Sequence, residues 1–561
     1  MLFCTNFEPD RLDSPLFLAG FFVFYSVLII LRRMFRSYLS WIISHRWLLF
    51  FVGVFICLQQ GIFLLYRFSP PPGQVWLGDS ILNSADQAVY LMNVEQIRSG
   101  AALLQNLYAP LPQQGYVVPF YVFLGFCARV FGTSAINTIE IARPLVTIIA
   151  FGLLFRLSRR VTHSIAEACW ATFALTCFGG AGWIVSSFFS FAGWRFSFPI
   201  ADIGSEAFFF PMAFAGIHII LSFALLAFSI EALWDRLAGA GSRPIWPLLV
   251  STLFLLWIHP YFGLLLAIIG CMGLIVGWKR RVPIFYRSYA IVLIGCLGLL
   301  PHVLAHIQNE TRRFAVLENH LSLGFWWVWV LACLPWLGFV FWRFRYGPVL
   351  QKAEEWLVVW LVAIPVSLLF PFHWKRKLFE GFGAILIWLS LPVFLSLVRY
   401  LRQKGRLYLI LVCSILMLSP LSLLFSQIAW MDGSRGRGTE LMVSEDAMKA
   451  WAWLRFETAP DGLILTDRVW IGTWTPTYSL RPVWIGHDFE TPDWENKNRA
   501  LQALFFDGTA EQARQLLGQI SPTYVLITEM AQNARFSGLF SEKWEAAARF
   551  GSVQIWRQKS L

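Results

Sequence analysis

Residues 372–398 read FHWKRKLFEGFGAILIWLSLPVFLSLV, a cluster of cations followed by a long apolar run. Such a run is typical of a helix that crosses the ~30 Å hydrocarbon core of a bilayer. Further apolar runs recur from residue 15 to residue 427, and charged residues make up only 14% of the chain, whereas soluble globular proteins average ~25%. The sequence therefore predicts a mainly α, polytopic transmembrane helical bundle.

Basic loops indicate how this bundle lies in the membrane, because cytosolic loops carry an excess of Lys and Arg. Six short basic loops separate the apolar runs: residues 32–46, 156–163, 234–243, 279–287, 343–352 and 399–406. If all six are cytosolic, the runs between the last five come in pairs, and the chain crosses ~12 times, or 13 if one loop is misplaced. The long polar connections, the N-terminus and the C-terminal tail then lie outside the cytosol.

One apolar segment, residues 117–131, conflicts with this parity. It is short for a membrane crossing. We interpret it as an interfacial or re-entrant segment on the outer side.

The distribution of charge argues against a nucleic-acid partner. The net charge is +12, but residues 431–561 hold 14 basic and 16 acidic residues, so the basic excess lies in the membrane part. Nucleic-acid binding would need a basic stripe on a soluble face. The excess is instead explained by the cytosolic loops and by contact with membrane lipid.

Acidic residues mark the large first outer loop, residues 69–116. Asp86 and Tyr90 are spaced to share one face of a helix, and Asp79 precedes them. Ionisable groups beside a membrane are costly and often functional. The alternative is a solvated amphipathic helix with Ser84 as its N-cap and Asp86 beside the positive helix end. Spacing alone leaves both interpretations open.

Two further clusters fall on the same predicted side. Asp202 and Glu206 precede an apolar run that contains His218, and His259 precedes a proline in a turn between two runs. The alternatives are solvated acids in a connector and a turn histidine with local hydrogen bonds. His302 and His306 are four residues apart, but no zincin-type acid flanks them, so no metal site is assigned.

The cations Lys375, Arg376 and Lys377 oppose the positive-inside bias. An anionic ligand at the membrane surface would explain them, as would headgroup anchoring by snorkelling side chains. Together with the outer acids they suit a reaction between a membrane-held phosphate donor and an acceptor, in which a carboxylate acts as general base. No glycine-rich nucleotide loop appears in the sequence, so a lipid-linked donor fits better than a nucleotide sugar.

The tail, residues 431–561, alternates helix and strand and predicts a small α/β domain after a membrane module of residues 1–430. Residues 444–454 form an amphipathic helix with a serine cap, and residues 462–466, 524–528 and 552–556 are expected strands. His487 and Glu490 lie in a polar loop between them, for which a well-capped surface loop is the alternative interpretation.

In the order of these elements and motifs, the sequence resembles the GT-C superfamily of glycosyltransferases, which use polyprenyl-phosphate sugars. The resemblance covers most of the chain, from Asp86 and Tyr90 through Lys375–Lys377 to the tail motifs around His487 and Glu490. It implies an inverting transferase of the bacterial inner membrane, with Asp86 as catalytic base and the cations on the donor phosphate. The C-terminal domain would be periplasmic, and the acceptor a glycan, lipid or protein.

The sequence departs from the superfamily pattern in one respect. Many relatives carry two adjacent acids in the first loop, whereas here Asp86 is followed by Gln87, so a second carboxylate is missing from that position. Asp79 or Asp202 would supply it, or none is needed; Asp202 and Glu206 are the further catalytic candidates. Tyr90, His259, His487 and Glu490 are expected to contact substrate, and a divalent metal requirement stays open. Two other classes remain, a flippase for lipid-linked glycans and a non-catalytic envelope scaffold.

Overall fold

The computed structural model describes twelve stretches of the chain: residues 45–78, 84–110, 113–182, 207–237, 245–280, 289–290, 292–310, 326–347, 354–370, 375–433, 441–528 and 543–559. In the membrane part the helices are α1 Arg46–Phe68, α2 Ser84–Arg98, α3 Pro119–Phe131, α4 Ala135–Val161, α5 Ile165–Cys177, α6 Phe209–Ala215, α7 Ile217–Leu237, α8 Trp246–Ile258, α9 Phe262–Arg280, α10 Leu300–Gln308, α11 Trp326–Tyr346, α12 Glu355–Ser367, α13 Phe382–Lys404 and α14 Arg406–Gly433. Two 3₁₀ turns, Cys296–Leu299 and Lys375–Phe379, precede α10 and α13.

Four helical segments of the described chain are long and apolar enough to cross a membrane: Arg46–Phe68, Ala135–Val161, Ile217–Asp235 and Arg376–Lys404. A helix rises ~1.5 Å per residue, so the 23 residues of α1 reach ~35 Å. Seven shorter apolar helices pack among these four. The expected fold class, a polytopic helical bundle, is confirmed.

Helix α3 corresponds to the segment that conflicted with parity. It has 13 residues, or ~20 Å of helix, which is too short to span a ~30 Å core. One face is buried around Tyr121 and Leu124, while Phe123, Phe126 and Phe131 on the other are exposed. Its geometry is consistent with the predicted interfacial position.

The tail contains a four-stranded sheet with the strands β3 Ile464–Thr466, β4 Tyr524–Ile527, β5 Trp544–Phe550 and β6 Val553–Gln558. Across the sheet they follow the order β3–β4–β6–β5. The helices of the tail are α15 Glu445–Glu457, α16 Val469–Ser479, α17 Trp494–Gln502 and α18 Ala510–Ile520. Strands β3 and β4 are parallel, and the other two pairs are antiparallel. A small α/β layer is therefore confirmed. The predicted serine cap is present, because Ser444 Oγ accepts from the backbone N–H of Ala447 at 3.2 Å.

The first loop (residues 69–116) and the tail are joined by a strand pair, a hydrogen bond and an ion pair. Strand β1, Gln74–Trp76, pairs antiparallel with β2, Met442–Ser444. Thr477 Oγ1 donates to the carbonyl of Ala88 at 2.9 Å, and Arg455 Nη1 lies 2.8 Å from Glu95 Oε1. The loop and the tail thus form one packed unit. The domain boundary at residues 430/431 stays a prediction.

Candidate functional site

Helix α2 places Asp86 in its first turn, where the helix dipole favours a negative charge. The Asp86 side chain is 36% exposed, and its Oδ1 lies 3.0 Å from Nε2 of His487 in the tail. Two residues that sequence analysis placed in separate regions are therefore in direct contact. A carboxylate that is exposed to this extent can be reached by a hydroxyl group from solvent.

A short hydrogen-bonded loop holds the His487 ring. Gly486 N–H donates to Thr491 Oγ1 at 3.1 Å, and Thr491 N–H donates to the carbonyl of His487 at 2.9 Å. The backbone N–H of Phe489 donates to His487 Nδ1 at 3.1 Å. Because Nδ1 accepts this bond, the neutral ring carries its proton on Nε2 and donates it to Asp86.

Acidic neighbours set the protonation of this histidine. Burial lowers the pKa of His487, but the hydrogen bond to Asp86 and the charges of Asp86, Asp488 and Glu490 outweigh burial and raise the pKa above 6.5. Tyr108 from the first loop packs beside the ring, with centroids 6.0 Å apart, and burial raises the pKa of its phenol. The Glu490 side chain is buried, and its carbonyl accepts from Asn106 Nδ2 at 2.8 Å.

A layer of aromatic and histidine rings lies below Asp86. Tyr90, one turn further along α2, stacks on Tyr121 of α3 with centroids 4.7 Å apart. The hydroxyl of Tyr121 lies 2.9 Å from Nδ1 of His218, at the start of α7. Tyr121 escaped sequence analysis, because a tyrosine in an apolar run gives no local sign of its partner. Tyr90 contacts this layer, as its helical spacing from Asp86 allows.

A second buried cluster joins two other predicted site residues. Nε2 of His259 lies 2.8 Å from Oε2 of Glu380, and Nζ of Lys377 lies 3.1 Å from Oε1 of the same carboxylate. Glu380 is fully buried, so its charge is matched by these two partners. Gly381 follows with φ +80°, a conformation that favours glycine. Glu380 was missed, although its position three residues after Lys377 in an apolar chain was a usable signal.

His218 connects the two clusters. Its ring centroid lies 6.1 Å from that of His259. It interacts electrostatically with Lys377 and Glu380, and also with Asp86. His218 therefore lies between Tyr121 and the buried cluster of His259, Glu380 and Lys377.

The remaining predicted residues divide into two groups. Arg376 lies half-buried in the turn Lys375–Phe379. The side chain of Lys375, and Asp79, Asp202 and Glu206 entirely, lie outside the described residues.

In the part of the chain that the structure covers, no group of three or more His, Cys, Asp or Glu side chains could hold a metal ion. His302 Nε2 instead lies 3.0 Å from the carbonyl of Trp257.

The arrangement has a partly exposed carboxylate, Asp86, on one side of the rings and the cations Arg376 and Lys377 on the other. A carboxylate in hydrogen-bond contact with a histidine can accept a proton from a hydroxyl. Arg376 and Lys377 can neutralise charge that develops on a phosphate at the membrane surface. The residues between them are rings and a buried ion pair.

No protein-family profile matches the sequence, and no curated protein matches it. Among solved structures, the archaeal oligosaccharyltransferase AglB from Archaeoglobus fulgidus, in complex with an inhibitory peptide and a dolichol-phosphate, is 11% identical, with a TM-score of 0.50 over 88% of this chain and 70% of its own. ArnT from Cupriavidus metallidurans in the apo state is 11% identical, with a TM-score of 0.51 over 91% of this chain and 97% of its own.

A mutant of the arabinofuranosyltransferase AftD from Mycobacteria is 15% identical, with a TM-score of 0.54 over 92% of this chain and 42% of its own. At identities this low, the structural similarity establishes a shared fold and says nothing of the chemistry. The protein therefore shares its fold with these three structures, and its long apolar helices make it an integral membrane protein.

Proposed function

We propose that the protein is a membrane glycosyltransferase that moves a sugar from a polyprenyl-phosphate donor to an acceptor at the outer face, with Asp86 as general base. The contact between Asp86 and His487 carries this proposal. It holds a carboxylate, at the start of a helix of the first loop, against a histidine of the tail. The surrounding chain leaves that carboxylate partly exposed.

The proposed reaction is a single displacement. An acceptor hydroxyl gives its proton to Asp86 while its oxygen bonds to the anomeric carbon. The bond between that carbon and the phosphate oxygen breaks, and polyprenyl phosphate leaves with the electron pair. Attack opposite the leaving group inverts the anomeric configuration. His487 donates a hydrogen bond to Asp86 and keeps the carboxylate oriented.

A lipid-linked phosphate as donor is supported by the position of the cations. Arg376 and Lys377 lie in the turn that opens α13, a helix long enough to cross the membrane. Lys377 also lies 3.1 Å from Glu380, and we assign donor binding to Arg376 and Lys377 together. The AglB structure contains a dolichol-phosphate, a lipid of this chemical class.

Replacing the base tests the proposal directly. Full-length protein in proteoliposomes is given synthetic polyprenyl-phosphate pentoses and hexoses with native membrane extract as acceptor source, and released polyprenyl phosphate is measured. We expect Asp86→Asn to lower the rate ~10²–10⁴-fold. Asp461→Asn, an exposed acid in a tail turn, is the matched control and keeps the rate.

Equal rates for Asp86→Asn and wild type would remove Asp86 from the mechanism. Donor movement across sealed vesicles without phosphate release would favour a flippase.

Donor binding is tested at the two ends of α13. We expect Arg376→Gln to raise the donor KM ~5–10-fold, because one charge-assisted contact to phosphate is lost. Arg399→Gln at the opposite end of the same helix is the control. An unchanged donor KM in Arg376→Gln would favour headgroup anchoring.

A further inference from the structure

A cavity opens in the tail immediately beside the Asp86–His487 pair. Its volume is about 600 Å³, within the ~300–1,000 Å³ range of small-molecule sites. The first turns of α16, the loop that carries His487 and one side of α17 line it. Ala85, the residue before Asp86, also lines the cavity, so a bound molecule would lie next to the proposed base.

The lining combines aromatic rings with polar and charged groups. Trp470 and Trp494 are half-buried, and Phe506 is 37% exposed, so parts of these rings stay uncovered. Arg468 and Asn498 add hydrogen-bonding side chains between the rings. The apolar face of a sugar ring packs against an aromatic ring, while its hydroxyls need hydrogen-bond partners around the rim. This mixture matches a saccharide.

The indole of Trp494 is fixed against the loop that carries His487. Its Nε1 donates to the carbonyl of Gly486 at 3.0 Å, directly before His487. A ring packed on Trp494 would therefore be positioned relative to Asp86 by a single short segment. An extended peptide would be recognised through the backbone of a sheet edge, whereas helices and a loop form most of this wall. An acyl chain would displace water from the charged side chains of Arg468 and Asp488, which line the cavity, at a cost in desolvation.

We propose that this cavity is the acceptor site and that the acceptor is a saccharide, whose ring packs against Trp470 and Trp494 and presents a hydroxyl to Asp86. This inference rests on the proposed function and names the substrate class of that site. It assigns the tail the role of an acceptor platform.

Ligand binding tests the inference without relying on turnover. Full-length protein in detergent is mixed with methyl glycosides of glucose, galactose, mannose, N-acetylglucosamine, arabinose and glucuronic acid, and saturation-transfer difference NMR is recorded. We expect transfer to the ring protons of at least one glycoside, with binding about five-fold weaker in Trp470→Ala. Trp453→Ala, a half-buried tail tryptophan that packs on Tyr524, is the control and keeps the signal.

Each outcome has a defined meaning. Absence of transfer to every glycoside, or transfer unchanged in both Trp470→Ala and Asn498→Ala, overturns the saccharide site. Transfer to a serine-containing tripeptide in place of the glycosides overturns it too. Because Asp86→Asn keeps the cavity wall, this variant should still bind glycosides in the NMR experiment while losing the glycosyltransferase reaction. Failure of the Asp86 experiment therefore counts against the proposed base, and failure of the NMR experiment counts against the acceptor site.

Discussion

Nε2 of His487 lies 3.0 Å from Oδ1 of Asp86, although 401 residues separate the two along the chain. The contact joins the first turn of a helix in the first loop to a glycine-bounded loop of the tail. Hydrogen bonds on both sides, from Thr477 to Ala88 and from Tyr108 to Thr473, hold these segments in register. The proposed base is therefore assembled by tertiary structure and is not a property of the first loop alone.

His487 should act as a positioning residue for Asp86. We expect His487→Leu to lower kcat up to about 100-fold with the donor KM unchanged, because the carboxylate loses the donor that orients it. His487→Gln should recover part of kcat, since its amide can donate a hydrogen bond. Steady-state kinetics of both variants measure this. A fall in folded yield without the partial rescue by Gln would indicate a purely structural role.

The same pair should make stability depend on pH. The pKa of His487 lies above its ordinary value of 6.5 in the folded protein. A raised folded-state pKa stabilises the protein fully below the unfolded pKa, and the stabilisation is lost as pH rises through the folded pKa. The Tm difference between wild type and Asp86→Asn should thus be largest below pH ~6.5 and shrink above it. Thermal melts from pH 6 to ~8.5 test this, and a constant difference would contradict it. Asp461→Asn is the control.

Lys377 should be needed for stability through Glu380. Removing one partner of a buried ion pair leaves an uncompensated charge and costs about 3–5 kcal/mol. We expect Lys377→Met to show this loss in detergent unfolding, and Lys377→Met combined with Glu380→Gln to recover part of it. Lys449→Met, whose side chain is 59% exposed, should change stability by less than ~0.5 kcal/mol. If Lys377→Met and Lys449→Met change the stability equally, the buried ion pair between Lys377 and Glu380 does not stabilise the protein.

Gly486 should be intolerant of a side chain. A Cβ at this position would lie 2.7 Å from Cδ1 of Tyr108 and 2.8 Å from the carbonyl oxygen of Gly472. We expect Gly486→Ala to cost ~1–3 kcal/mol and to shift His487. Gly518, in helix α18, has open space where an alanine methyl group would lie, so Gly518→Ala should stabilise by ~0.5–1 kcal/mol. Thermal melts of both variants make the comparison.

Sidedness of the tail can be measured by labelling. In a cysteine-free background, Lys449→Cys in the tail should react with a membrane-impermeant maleimide in intact spheroplasts. Lys404→Cys, in a predicted cytosolic loop, should react only after lysis. Both positions are exposed. The reverse labelling pattern would place the tail, and with it Asp86, on the cytosolic side.

Several elements followed from local sequence. The serine cap at residue 444, strands β3, β4 and β6 and the short helix α3 all come from nearby residues, because capping and apolar periodicity act over a few positions. Strand β5 and helix α16 were missed. The segment Trp544–Phe550 shows no strict alternation of buried and exposed residues, and its antiparallel pairing with β6 places it in the sheet. Helix α16 carries Pro476 and several threonines, which are weak helix formers.

The candidate site likewise contains residues that could be selected from the sequence and residues that were found in the structure. Asp86, Tyr90, His259, Lys377 and His487 could be selected from the sequence, because ionisable groups beside a membrane are costly to keep. The catalytic roles of Asp86, Asp202 and Glu206, and the substrate contacts expected of the other residues, stay predictions. Tyr121 emerged only from the folded chain, whereas Glu380 could have been selected from its spacing to Lys377.

The sequence by itself determined that the chain is a polytopic membrane protein with a small α/β tail, since hydrophobic composition and periodicity act locally. Only the tertiary structure decided that His487 meets Asp86, that Glu380 meets His259, and that a cavity of about 600 Å³ opens beside the His487–Asp86 pair. Both contacts join segments far apart in sequence. Side-chain pairing of that kind depends on how the segments pack, which no local pattern encodes.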